Sequence, residues 1–164
     1  MTSSSHSPVG AYAPAFLGLL ANRVVERIVE EGARYAAQAD VRTPVRAMST
    51  MLALRAGPAT VTELAQMLGV SHATAIKNTR TLAELGLVTR GVDKKDARRR
   101  PLSLTPQGED AAREADRFMR RARTAYREIF AEIGADAYAA LAAMEAALDR
   151  KGFDVRLREA GESD

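Results

Sequence analysis

A chain of 164 residues, 46% hydrophobic and 27% charged, is long enough to bury one self-sufficient core. It contains no Cys, which excludes disulfides, thiolate metal sites and cysteine redox sensing, and a cytoplasmic setting is expected. The net charge of +3 is unevenly spread: Lys77 to Arg100 holds eight basic and three acidic residues, a local +5 that leaves −2 for the remainder, a distribution suited to a polyanionic partner.

The polar, Ser-rich start lacks the layout of a secretory signal, and residues 1–12 are read as a disordered tail. No apolar run approaches the roughly 18 residues of a membrane span, so no membrane association is expected. A long helix is predicted over residues 15–38, with Phe16, Leu17, Leu20, Val24, Ile28 and Tyr35 at helical spacing. A second begins with Thr43 as N-cap and Pro44 in its first turn, and stops near Gly57-Pro58. Thr60 and Glu63 have the spacing of a capping box and open a short helix that Gly69 ends. Ser71 then caps a helix running to Leu85, with Gly86 behind it. Two helices joined by only Gly69-Val70-Ser71 make a helix-turn-helix.

Beyond Gly86 the pattern changes to short β-favouring pieces, residues 87–90 and 101–104, around a charged stretch. This is a β-hairpin wing with a basic tip, and Pro101 suits an edge strand only. Thr105-Pro106 opens another long helix, to about Ile133, which Gly134 breaks. A last helix follows from Ala135 to about Lys151 with Tyr138, Leu141, Met144 and Leu148 on its apolar face. The fold class is therefore mostly α with a small β-hairpin: a winged helix-turn-helix over 43–105, flanked by long helices at 13–42 and 106–155. Apolar stripes of that length exceed what one small core needs, and burial between two copies would account for them.

A helix of this kind fits the major groove of B-DNA and reads bases from its N-terminal part. Ser71, His72, Thr74, Ile76, Lys77, Asn78 and Arg80 are the candidate contacts. Lys77 suits guanine or phosphate, Ile76 a thymine methyl, and Asn78 adenine, provided it points outward; Ala75, Thr79 and Leu82 are assigned to the buried face. In the wing, Lys94, Lys95, Arg98, Arg99 and Arg100 supply positive charge for the narrow minor groove, and Asp96 is expected to pair with one of the arginines. The plainer alternative is a packing helix and a solvated turn.

The stretch from Thr62 to Gly108 resembles the multiple antibiotic resistance regulator (MarR) family. The resemblance is carried by Glu63-Leu64-Ala65 with Leu68-Gly69-Val70-Ser71, by Leu85-Gly86-Leu87-Val88, and by Asp96-Ala97-Arg98 with Leu104-Thr105-Pro106 and Gly108. It departs at Ile76, where the family often has a hydroxyl residue, and at Arg100-Pro101. The resemblance implies a homodimer held by the terminal helices, binding to a pseudo-palindromic operator, usually repression, and Asp96 with Arg98 as the wing pair. It also implies, for many members, release of DNA by a small phenolic or other aromatic effector. For such an effector Arg46 is a candidate carboxylate anchor and Tyr12, Met48 and Met51 a candidate apolar lining; the plainer alternative is a surface arginine and ordinary core residues.

An enzyme is not expected. His6 and His72 are the only histidines, no Gly-rich phosphate loop occurs, and neither cofactor nor metal site is indicated. The rival to a DNA-binding regulator is a winged helix that docks on an acidic protein, or one that coats DNA without sequence preference.

Overall fold

In the computed structural model, which describes residues 10–92 and 99–161, the order of elements is helical at both ends with a hairpin between. A 3₁₀ segment, Gly10–Phe16, leads into α1 (Leu17–Gln38). A second 3₁₀ turn, Val45–Ala47, leads into α2 (Met48–Ala56). Next come α3 (Val61–Leu68), α4 (His72–Glu84), β1 (Val88–Arg90), β2 (Leu102–Leu104), α5 (Pro106–Ile133), α6 (Ala137–Arg150) and α7 (Phe153–Ala160). Among the described residues no helix is long and apolar enough to cross a membrane. The chain divides after Phe118 into two units.

The core of the first unit gathers one side of each element around Met48, Met51, Leu54, Leu64, Leu82 and Leu102, all buried, with Ala111, Ala112 and Ala115 of α5 closing it. Small residues on α5 let its backbone come close. Gly108 is where this matters most: a Cβ built there would lie 1.9 Å from the Leu87 carbonyl oxygen, so only glycine fits. Thr105 ties the same junction, its hydroxyl donating to Gly86 O at 2.7 Å and accepting from Gly108 N–H at 3.0 Å. Arg42 grips Glu114 on α5 with Nη2 to Oε1 at 2.8 Å and Nε to Oε2 at 3.3 Å. Tyr35 of α1 lies against Phe118, ring centroids 5.8 Å apart.

The start of α2 differs from the expected one. Thr43 does not cap it: Pro44 is extended (ψ 138°), a 3₁₀ turn intervenes, and the fully buried Thr43 hydroxyl donates instead to Ala111 O at 3.4 Å. The hairpin pairs Val88 with Leu104, Thr89 with Ser103 and Arg90 with Leu102, antiparallel. Strand β2 is not an edge at Leu102, because Leu102 also exchanges both backbone hydrogen bonds with Ala59, at 2.8 and 3.1 Å. Pro101 is accommodated because it stands just before the strand, where its carbonyl accepts from Gly91 N–H.

In the second unit Asp136 caps α6 through its side chain, accepting from Ala139 N–H at 2.9 Å. Arg156 of α7 donates to the terminal carbonyls of α6, Ala147 O and Lys151 O, at 3.0 and 3.1 Å. The expected last helix thus ends at Arg150, and α7 follows beyond Gly152. Neither α6 nor α7 buries a residue; Tyr138, Leu141, Met144, Leu148, Phe153 and Leu157 are all exposed.

Candidate nucleic-acid interface

The two helices of the helix-turn-helix are started and stopped by local chemistry. Thr60 accepts from Glu63 N–H while Glu63 Oε2 accepts from Thr60 N–H at 2.7 Å, a complete capping box. Gly69 takes the left-handed conformation (φ 63°) that turns the chain into Val70 and Ser71. Ser71 Oγ then accepts from Thr74 N–H at 3.1 Å and shares a hydroxyl hydrogen bond with Thr74 Oγ1 at 2.9 Å.

The helical repeat sorts α4 into two faces. Ala75, Asn78, Thr79 and Leu82 are buried. His72, Ala73, Ile76, Lys77 and Arg80 stand on the exposed side, with Ser71 and Thr74 exposed at its N-terminal edge. Ile76 is 48% exposed, an apolar side chain among polar ones. Arg80 pairs with Glu84 one turn on, at 2.8 Å. Asn78 is the correction: it does not point outward but sits 8% exposed on the buried face, where Nδ2 donates to Thr50 Oγ1 of α2 at 3.3 Å. Its position, three residues from Ala75 and four from Leu82, dictates this regardless of its polarity.

At the wing, Arg90 and Arg100 are exposed, one at the end of β1 and the other two residues before β2. Arg99 turns back towards α3, where Nη2 meets Glu63 Oε1 at 2.6 Å. The Glu63 carboxyl is held below the usual carboxylate range, first by the Thr60 N–H and then by Arg99. Lys94, Lys95, Asp96 and Arg98 lie outside the described residues. Arg90 and Glu63 were absent from the expected site. A sum over charge could have pointed to Arg90, whereas the Glu63–Arg99 pair spans 36 positions of sequence and has no local signal.

The residues expected to receive an aromatic ligand are not brought together. Met48 and Met51 are fully buried in the core, so they pack rather than line a pocket. Arg46 is engaged with Glu26 of α1 at 2.7 and 2.8 Å. Tyr12 is exposed before α1. A shallow groove runs along α1 past Leu19, Asn22 and Glu30, lined by none of Tyr12, Arg46, Met48 and Met51.

A tight helix-turn-helix with an antiparallel hairpin behind it, the hairpin stitched to the segment before the first of its two helices, defines a winged helix-turn-helix protein. Residues 43–99 match the family model described as the MarR family, whose members are transcriptional regulators and not enzymes. No curated protein matches the sequence. Among solved structures, the chain is similar to the transcriptional repressor CouR bound to a 23-mer DNA duplex, with 25% identity, a TM-score of 0.65, and coverage of 88% of this chain and 99% of that one. It has the fold of the regulator BldR from Sulfolobus solfataricus, at 19% identity and TM-score 0.62, covering 86% and 98% of the two chains. It also shares the fold of S. aureus MepR in its DNA complex, at 20% identity and TM-score 0.59, covering 82% and 94%.

Proposed function

We propose that the protein is a repressor that binds a pseudo-palindromic operator as a homodimer in the cytoplasm, its α4 in the major groove and its wing on the adjacent minor groove. The observation that carries this reading is the exposed face of α4, which carries His72, Ile76, Lys77 and Arg80, together with the exposed Arg90 and Arg100 of the wing. Such a face offers donors and an apolar contact to base edges and positive charge to phosphates. CouR and MepR, similar in fold, were both captured on DNA. The exposed apolar residues of α6 and α7 support a dimer, which would set two copies of α4 about one turn of DNA (~34 Å) or a multiple apart. Release by an aromatic effector has no support from Met48, Met51 or Arg46, whose side chains are already committed to the core and to Glu26.

The test is selection of duplexes from a random pool by the purified chain, followed by binding to the recovered duplex across a salt series. A palindromic consensus is expected, with log K falling linearly in log salt at about −0.9 per neutralised phosphate. Weak binding without a consensus would overturn the reading in favour of a protein-docking or DNA-coating winged helix.

A further inference from the structure

We propose, on the DNA-binding reading above, that Arg99 is not a phosphate contact but the positioning residue that sets the direction of the wing, acting through Glu63. Four observations converge on one short stretch. Arg99 Nη2 lies 2.6 Å from Glu63 Oε1. The other oxygen of the same carboxylate accepts from Thr60 N–H at 2.7 Å, so Glu63 is oriented before Arg99 arrives. Ala59, the residue before Thr60, exchanges two backbone hydrogen bonds with Leu102. The hairpin itself has only three paired positions.

A two-stranded ribbon that short is marginal alone and does not fix its own direction relative to the body it leaves. The Ala59–Leu102 bridge anchors it at one point, about which it could pivot. Arg99 stands three residues further towards the tip, roughly 10 Å along an extended chain. A second attachment at that distance removes the pivot. Stability is not what the pair supplies, because its side chains are more than a third exposed and such pairs contribute little. Its value is directional: both ends of the 59–63 segment hold the 99–102 segment, so the wing and α4 are presented to DNA as one unit. The entropy cost of aligning the wing is then met before binding, which is how preorganisation raises affinity.

The two roles for Arg99 predict opposite signs. Binding of the selected duplex is measured over a salt series for wild type, Arg99→Ala, Glu63→Gln and the double variant, with far-UV circular dichroism to verify folding. A wing clasp predicts that Arg99→Ala and Glu63→Gln each weaken binding by a similar factor, about 3- to 30-fold. It predicts an unchanged salt slope and a double variant no worse than either single one, as for partners in one interaction. A phosphate contact predicts a slope smaller by about 0.9 for Arg99→Ala. It also predicts tighter binding for Glu63→Gln, which removes a negative charge facing the polyanion. Either of those results, or no change in affinity for Arg99→Ala, overturns the proposal. Gln at position 63 can still close the capping box. Should it unfold the protein nonetheless, the slope of Arg99→Ala decides alone. Wild-type protein that binds no duplex would remove the function itself, a result distinct from any of these.

Discussion

Asn78, in the middle of the helix proposed to read DNA, donates from Nδ2 to Oγ1 of Thr50 on α2, 3.3 Å away, with both residues buried. The amide that looked suited to adenine is used inside the protein, to seat α4 on α2. Asn78→Ala is therefore expected to lower stability by about 1–3 kcal/mol, from the lost hydrogen bond and the vacated space. Its effect on affinity is expected to be equal across single-base operator variants. Thr50→Val leaves the amide unsatisfied and has the same signature, while Asn78→Leu with Thr50→Val recovers part of the loss because neither polar group is left buried alone. Urea unfolding and binding to a panel of operator variants check this; a loss confined to one base position would return Asn78 to the reading face.

Asn78 also shows what could and could not be seen from sequence. Its phase with Ala75, Thr79 and Leu82 is legible in the sequence, and that spacing, not the polarity of the side chain, decides which way it points. Local devices were legible because their chemistry is local: the Thr60–Glu63 box, the Ser71 cap, the left-handed Gly69 and the start of α5 at Pro106. Thr43 was not, because a hydroxyl that can cap a helix can equally bond a distant carbonyl, and Ala111 lies 68 positions away. The Ala59–Leu102 bridge and the Glu63–Arg99 pair are likewise products of tertiary contact. α7 did leave a trace, Phe153 and Leu157 one turn apart, hidden behind the break at Gly152.

Gly108 meets the Leu87 carbonyl so closely that α5 and β1 cannot be separated by a methyl group without moving one of them. The obstructing atom is backbone, with Leu104 Cβ also only 3.3 Å from the added carbon, so no rotamer change relieves the clash. Gly108→Ala is expected to cost on the order of 3–5 kcal/mol despite the higher helix propensity of Ala, which returns at most about 1 kcal/mol. Thermal melting followed by circular dichroism reads this directly. A melt like that of wild type would mean that the first turn of α5 can shift away from Leu87.

The exposed stripe on α6 has Leu141 at its centre, 58% exposed and flanked by Tyr138 and Met144. If this face is buried between two copies, a carboxylate there forfeits about 1.5–3 kcal/mol of apolar burial and adds the cost of desolvating a charge. Leu141→Glu is then expected to shift the chain from a dimer to a 17.7 kDa monomer at micromolar concentration in sedimentation equilibrium. Helical content should be retained, since α6 buries no residue within its own chain. Operator affinity should fall with dimerisation. A variant that stays dimeric would move the interface elsewhere, and a monomeric wild type would remove it.

Arg42 and Glu114 join the segment before α2 to α5 with two side-chain hydrogen bonds and a third from the Arg42 backbone N–H at 3.3 Å. The guanidinium hydrogen bond is the main reason the Glu114 carboxyl is held below its ordinary value, outweighing the effect of partial burial. A carboxyl with a lowered folded-state pKa contributes stability in full above its unfolded value, about 4.3, and loses it as pH falls from there through the folded value. Glu114→Gln is therefore expected to melt below wild type at pH 7, with the gap closing as pH is lowered from about 4.3. Glu31 and Glu63 are also held low, by Arg27 and by Thr60 with Arg99, but both are present in the two proteins and cancel from the difference. Melting temperatures of the pair from pH 7 to 3 check the sign. A gap that stays constant across that range would mean that Glu114 contributes through packing on α5 and not through its charge.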